Sequence, residues 1–157
     1  MAGVTGPGIL VAPAGPQDKD AWLGLWLEWQ HHMKGAVPAD VTERTWARAQ
    51  APDSGLQILL AFAPEGRAIG FATVSLTPFA WTASDIAFLQ DLFVQGRARG
   101  KGVGEALLRA VYRHADEKGA TQVFWMVDET DGELQRFYER NGIRTPYLRY
   151  MRTPWPW

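Results

Sequence analysis

Residues 95–105 read Gln-Gly-Arg-Ala-Arg-Gly-Lys-Gly-Val-Gly-Glu, a stretch dense in glycine and positive charge. It follows the apolar run Leu92-Phe93-Val94 and opens into a segment where Val103, Leu107, Val111 and Ala115 recur every four positions. That spacing predicts an amphipathic helix over about 103–118, stopped by Gly119. The first N–H groups of a helix have no intrahelical acceptor, and the helix dipole makes that end partly positive. Glycines let a ligand approach the backbone with no Cβ in the way, and Arg97, Arg99 and Lys101 add cations. The chemistry this points to is anion binding, with phosphate the obvious anion.

Two common phosphate loops fail on residues. A Walker A loop needs Ser or Thr after Gly100-Lys101, where Gly102 stands, and its first glycine falls on Gln95. A dinucleotide fingerprint starting at Gly100 and Gly102 needs its third glycine where Glu105 stands.

The elements that must position this loop follow from periodicity. Residues 9–12 predict a strand closed by Pro13. Trp22, Leu25, Trp26 and Trp29 predict one apolar face of a helix from about Asp18 or Asp20 to Met33. A second helix is expected over 41–50. Strands are expected over 56–63 and 68–76, joined by the turn Pro64-Glu65-Gly66-Arg67, then over 85–94. After the 103–118 helix comes a strand over 122–128. Thr130-Asp131-Gly132-Glu133 fits a capping box that starts a short helix ending near Asn141-Gly142, and a last strand is read over 147–152. The order β-α-α-β-β-β-α-β-α-β is a three-stranded meander feeding a βαβ unit. It implies an α/β class, with a mixed sheet and helices on both faces. Residues 1–8 are expected to be flexible, 9–152 to form a single domain, and 153–157 a Pro-broken tail.

Composition bounds the function. The chain has 157 residues, 46% apolar and 21% charged, as an ordinary globular domain has. A net charge of −1 argues against a bulk nucleic-acid binder. No cysteine is present, so disulfides and thiolate metal sites are excluded, and no metal is expected. No signal peptide or membrane span is read, and the expected compartment is the cytoplasm.

Arg99-x-x-Gly102-x-Gly104 resembles the [RQ]-x-x-G-x-[GA] pyrophosphate loop of the GNAT N-acetyltransferases. The likeness extends to Leu89-Gln90-Asp91-Leu92-Phe93-Val94, which is similar to the family's fourth strand in its diamine and histone/polyamine branch. It extends also to Phe137-Tyr138-Glu139-Arg140-Asn141-Gly142-Ile143, similar to F-Y-E-[RK]-x-G-F. The resemblance is firm over residues 85–150; before that, mainly element order matches.

The resemblance implies a central, mostly antiparallel sheet splayed between its fourth and fifth strands, with acetyl-CoA in the gap. The pantetheine arm would pair with the backbone of Leu92, Phe93 and Val94 as an added strand. The phosphates would meet Arg99, Gly100, Lys101, Gly102, Val103, Gly104 and Glu105. The Leu92 N–H would serve as oxyanion donor. Asp131 stands where the family often has an Asn on the pantetheine arm, and Gly96 replaces a common Pro. Tyr138 corresponds to the acid that protonates the leaving thiolate; a phenol of pKa about 10 stays protonated at neutral pH. Related polyamine enzymes carry Glu where this chain has Gln90, and Gln accepts no proton, although it could orient a water. Strand alternation puts Asp91 on the opposite face from Gln90. Glu28, His31, His32, Asp85 or a water chain stay open as the base.

Aromatic residues beside a carboxylate suit a cationic acceptor, and Trp26, Trp29, Trp81 and Asp85 are the candidates for that wall. The implied reaction is acetyl transfer to a primary amine (a small amine, a polyamine or an amino-acid-like molecule). A protein Lys or N-terminus as acceptor, and an acyl-CoA-binding module without catalysis, stay open. A homodimer is expected by analogy.

Overall fold

The computed structural model describes residues 3–4 and 8–153. The chain divides after Trp125 into two compact units, residues 1–125 and 126–157.

The first unit is a six-stranded sheet in sequence order: β1 (Gly3–Val4), β2 (Leu10–Pro13), β3 (Leu56–Phe62), β4 (Ala68–Pro78), β5 (Asp85–Val94) and β6 (Val123–Phe124). All neighbours run antiparallel except β5 and β6, which are parallel. Gly3 and Val4 pair with Val11 and Leu10, so the sheet reaches into the glycine-rich stretch read as flexible. Residues 1–2, 5–7 and 154–157 of the expected flexible ends lie outside the described residues.

Helices α1 (Lys19–His32) and α2 (Ala39–Gln50) cover one face. Trp22 and Leu25 of α1 and Trp46 and Ala49 of α2 form one core with Ile58 and Leu60 of β3, Phe71 of β4 and Phe93 of β5. Trp22 is 1% exposed and lies between Trp26 and Trp46, with ring centroids 5.5 and 5.1 Å away. Burial of such aromatic surface is the main favourable term holding this face. Helix α3 (Val103–Glu117) covers the other face, and Val103, Leu107, Val111 and Ala115 are all buried, as their spacing predicts. Leu59, Ala61, Ala72 and Val74, alternate residues on β3 and β4, fall on that side. At Gly70 the strands approach so closely that a Cβ would sit 2.7 Å from the Phe93 carbonyl oxygen.

Two strand expectations change. Only Val123–Phe124 of the expected 122–128 strand is paired. Residues 147–152 form no strand. Their order is Tyr-Leu-Arg-Tyr-Met-Arg, two apolar residues then Arg, a period of three that gives neither face of a strand to a core. Tyr147, Leu148 and Tyr150 are accordingly exposed.

The second unit holds α4 (Gly132–Glu139). Its N-cap is Asp131, whose Oδ1 accepts from the Leu134 N–H at 2.9 Å, and not Thr130 as the capping-box spacing suggests. The Thr130 hydroxyl is already bound: its Oγ1 and its backbone N–H both donate to Asp128 Oδ1, at 2.7 and 2.8 Å. Those two bonds hold the Asp128 carboxyl below its ordinary pKa.

Candidate active site

The glycine loop folds as its composition dictates. After β5 the chain makes a 3₁₀ turn at Gly96–Ala98, anchored by the buried Ala98, whose N–H donates to the Gln95 carbonyl at 2.8 Å. Gly100 and Gly102 then take left-handed φ values of +71° and +79°, and α3 begins at Val103. Nothing lies within 4 Å of where a Cβ would stand on Gly96, Gly100 or Gly102, so the loop is an open cradle that side chains would fill. No side chain caps the helix start: Gly102 has none to offer, and its carbonyl takes the first helical bond, from Ala106 at 3.0 Å. The N–H groups of Val103, Gly104 and Glu105 are therefore the first-turn donors available to an anion.

The flanking charges are arranged around that cradle. The Glu105 carboxylate, the wrong sign for a phosphate site, is drawn along the helix by Arg109 at 2.8 Å, leaving Glu105 its backbone N–H to contribute. Lys101 is exposed in the loop. Arg99 folds back over β5: its Nε donates to the Val94 carbonyl at 3.0 Å, and its guanidinium lies 6.0 Å from the Phe93 ring centroid.

The β5 edge beside the loop is open. On the β6 side the ladder has two pairs, Ala87–Val123 and Phe88–Phe124, and among the described residues none pairs with β5 on that side beyond Phe88. On the other side the Gln95 N–H donates to Ile69 of β4 at 2.9 Å. Backbone polar groups alternate sides along a strand, so the Phe93 and Asp91 groups face β4 while the N–H groups of Leu92 and Val94 face the open edge. The Arg99 bond to the Val94 carbonyl, made away from β4, agrees with that.

Beta-strand β5 is not regular. Thr73 pairs with Asp91 and Val74 with Leu89, so Gln90 is an extra residue, a β-bulge. The bulge corrects one expectation. Gln90 and Asp91 lie on the same face, not on opposite ones: Gln90 Nε2 donates to Ser75 Oγ at 2.9 Å, and Asp91 Oδ1 accepts from Trp29 Nε1 at 3.0 Å. Ser75 and Thr73 are two apart on β4 and share that face. Burial pushes the Asp91 carboxyl above its ordinary pKa, against hydrogen bonds from Trp29 and Thr73 that pull it down.

The expected aromatic wall is not one wall. Trp29 stands over the bulge, with its ring 5.8 Å from His32 and 5.7 Å from Phe93. Trp26 is spent on packing: its Nε1 donates to Thr42 Oγ1 at 3.1 Å, and its ring meets Phe71 edge-on. Trp81 is 90% exposed in the β4–β5 loop. Asp85 opens β5, six residues before Asp91 and so about 20 Å along the strand from it. A cleft of about 420 Å³ lined by Gln50, Gln57, Leu76, His114 and Lys118 lies at the far end of α3 from the glycine loop. In the second unit Asp131 is committed to capping α4, and Tyr138 sits in the last turn of that helix, its ring 5.1 Å from Phe137.

Residues 21–143 match the model of the Acetyltransferase (GNAT) family. The chain belongs to this family. As a GNAT N-acetyltransferase it takes its acetyl group from acetyl-CoA. It is 37% identical over 145 residues to the D-amino-acid N-acetyltransferase HPA3 of Saccharomyces cerevisiae, covering 92% of this chain and 90% of that protein. It is 32% identical over 116 residues to an aminoglycoside N(6')-acetyltransferase type 1 of Klebsiella aerogenes, covering 72% and 74%. The GNAT fold is seen again in the aminoglycoside acetyltransferase AAC(6')-Iy bound to a CoA bisubstrate analogue. That structure has a TM-score of 0.80 and 22% identity, with 94% and 99% of the two chains covered. The diamine and polyamine branch suggested by the β5 motif is not singled out by these relatives.

The bulge at Gln90 and the Trp29–Asp91 bond are the site features that motif reading missed. A signal for the first exists. Leu89-Gln90-Asp91-Leu92 puts two polar residues in a row inside an apolar strand, and that breaks the period of two.

Proposed function

We propose that this chain transfers the acetyl group of acetyl-CoA to the primary amine of a small molecule, by direct attack while both are bound. The observation that carries this reading is the open edge of β5, whose Leu92 and Val94 N–H groups, unpaired among the described residues, run straight into a glycine cradle at a helix start. The cradle suits a pyrophosphate, and the edge suits an extended amide-bearing arm that pairs like a strand. The Leu92 N–H supplies an oxyanion donor where the thioester carbonyl becomes tetrahedral. Tyr138 supplies the proton that the departing thiolate needs, a role carried over from the matching family segment. The relatives' names support a small acceptor, one a D-amino acid and the other an aminoglycoside.

Titration calorimetry with CoA and dephospho-CoA, followed by CoA release over a panel of D-amino acids, aminoglycosides, diamines and a Lys peptide, tests the reading. Micromolar CoA binding and release that depends on a small amine are expected. Tyr138→Phe should keep CoA affinity and lose about 10²-fold or more in kcat. Release with the Lys peptide alone would overturn the small-molecule acceptor, and full activity in Tyr138→Phe would remove Tyr138 as the acid.

A further inference from the structure

An alkyl amine of pKa about 10 is about 99.9% protonated at pH 7 and cannot attack until it loses a proton. Gln90 cannot take that proton, and its amide is turned to Ser75. We propose that the Asp91 carboxylate, carried onto the Gln90 face by the β5 bulge, is the group that takes the proton from the acceptor's ammonium. The proposal rests on the acetyl-transfer reading above.

The geometry places one carboxylate beside the strand edge where acetyl transfer is read. Asp91 immediately precedes Leu92, whose N–H faces the open edge. Were Gln90 in regular alternation, Asp91 would share a face with Leu89, against α3; with Gln90 bulged out of the ladder, Asp91 pairs with Thr73 on the α1 face. There Trp29 Nε1 fixes Oδ1, so the carboxylate is held in one orientation. Among the described residues, Trp29 and Thr73 bond it and the rest of its surroundings come from α1 and β4. From α1 come Trp29, His32, stacked on Trp29, and Glu28, which accepts from Gln95 Nε2 at 2.6 Å. From β4 come Thr73 and Ser75, which carry no charge; the Arg99 guanidinium lies over Phe93, at the end of β5. Burial raises the affinity of this carboxyl for a proton, which suits a base better than an ordinary exposed aspartate does.

The step balances. The ammonium gives one proton to the Asp91 carboxylate, leaving a neutral amine and a carboxylic acid. The amine nitrogen bonds the thioester carbon and the C–S bond breaks with its electron pair on sulfur. The thiolate is protonated, the nitrogen loses its second proton as the amide forms, and Asp91 returns its proton to water. The net products are acetamide, CoA thiol and one proton.

The test is kcat/KM against pH for wild type, Asp91→Asn and Trp29→Phe, with two acceptors: a basic alkyl amine and a weakly basic amine already neutral at pH 7. Asparagine keeps an oxygen for the Trp29 N–H, and unchanged CoA affinity and melting temperature check that the variant folds. For the basic amine, Asp91→Asn should lose about 10²- to 10⁴-fold at pH 7. It should regain about tenfold per pH unit as the solution does the deprotonation, and it should stay near wild type with the weakly basic amine. Trp29→Phe removes a bond that favours the carboxylate, so the acid limb of its profile should move to higher pH. An Asp91→Asn loss equal for both amines and flat with pH makes Asp91 a positioning residue and overturns the proposal, as does activity within about threefold of wild type for the basic amine at pH 7. Wild type that binds CoA but turns over neither amine, nor any acceptor of the panel above, overturns the acetyl-transfer reading and the proposal with it.

Discussion

Gly102 and Gly119 bracket α3, one before its first turn and one after its last, and they form a matched pair. Both are left-handed, with φ of +79° and +71°, and neither has an atom within 4 Å of where a Cβ would stand. An alanine at either site clashes with nothing and meets only the left-handed backbone penalty, about 1–2 kcal/mol. Lower entropy in the unfolded chain returns part of that, about 0.4–1 kcal/mol. The net cost of each substitution is about 1 kcal/mol, which for a domain of this length lowers Tm by about 2–4 °C. The two variants should therefore melt alike. They should differ in CoA binding, because only the Gly102 Cβ stands in the cradle in front of the free N–H groups of Val103 to Glu105. Losing one charge-assisted bond of about 1.5–3 kcal/mol weakens CoA about 10- to 150-fold. The assay is a melting curve plus calorimetric titration with CoA for Gly102→Ala and Gly119→Ala. Equal CoA affinity in the two variants would refute the assignment of the loop to the pyrophosphate. A Gly102→Ala protein that melts 10 °C or more below Gly119→Ala would refute the strain argument.

Two other perturbations follow from the first unit. Gly70→Ala places a methyl 2.7 Å from the Phe93 carbonyl oxygen and 3.2 Å from the Leu107 side chain, so β5 must move. A cost of about 1–3 kcal/mol is expected, a fall in Tm of about 3–10 °C in a thermal melt, and a shift under 1 °C would show that the strands yield without strain. Burial, then Lys118, against a weaker pull from Glu117, holds the His114 pKa below its ordinary value. The unfolded chain thus binds the proton first, and His114 should cost stability as pH falls from about 6.5 through its folded pKa. His114→Gln should flatten urea-unfolding stability between pH 7 and 5; an unchanged slope would mean that other groups set the acid sensitivity.

Much of this was legible in the sequence because local chemistry and tertiary structure agree there. The α3 face is read from four positions at a spacing of four, all buried, and the loop from glycines whose left-handed φ values no β-carbon residue would favour. Where local pattern and partner disagree, reading fails. Thr130 has the right offset from Glu133 for a cap, but Asp128 takes its hydroxyl and Asp131 caps instead. The residues 147–152 have high strand propensity but no alternation and, among the described residues, no ladder. Trp26 and Trp29 sit three residues apart on one helix and look alike, yet one indole meets Thr42 on α2 and the other Asp91 on β5. Both pack partly buried against the same core, and only the placement of α1 across the sheet decides which indole meets Asp91.

The bulge carries the greatest functional weight for its size. A single inserted residue shifts the parity of β5 in both senses at once. Before it, the Asp85 carbonyl and the Ala87 N–H face the β6 side, bonded to Thr121 and Gln122 at 2.9 and 2.8 Å. After it, Leu92 and Val94 face that side, where no strand follows among the described residues. Because Gln90 is bulged out of the ladder, Asp91 alternates against Leu89 and lies on the side of Trp29, away from α3. Were Gln90 instead a regular ladder residue, Asp91 would fall on the α3 face among buried apolar side chains, and Leu92 and Val94 would turn their N–H groups to β4. A strand that keeps Gln90 in unbroken alternation cannot offer an open edge at Leu92 and a carboxylate on the α1 face at Asp91 while keeping Ala87 and Leu89 buried; bulging Gln90 out of the ladder reconciles these demands.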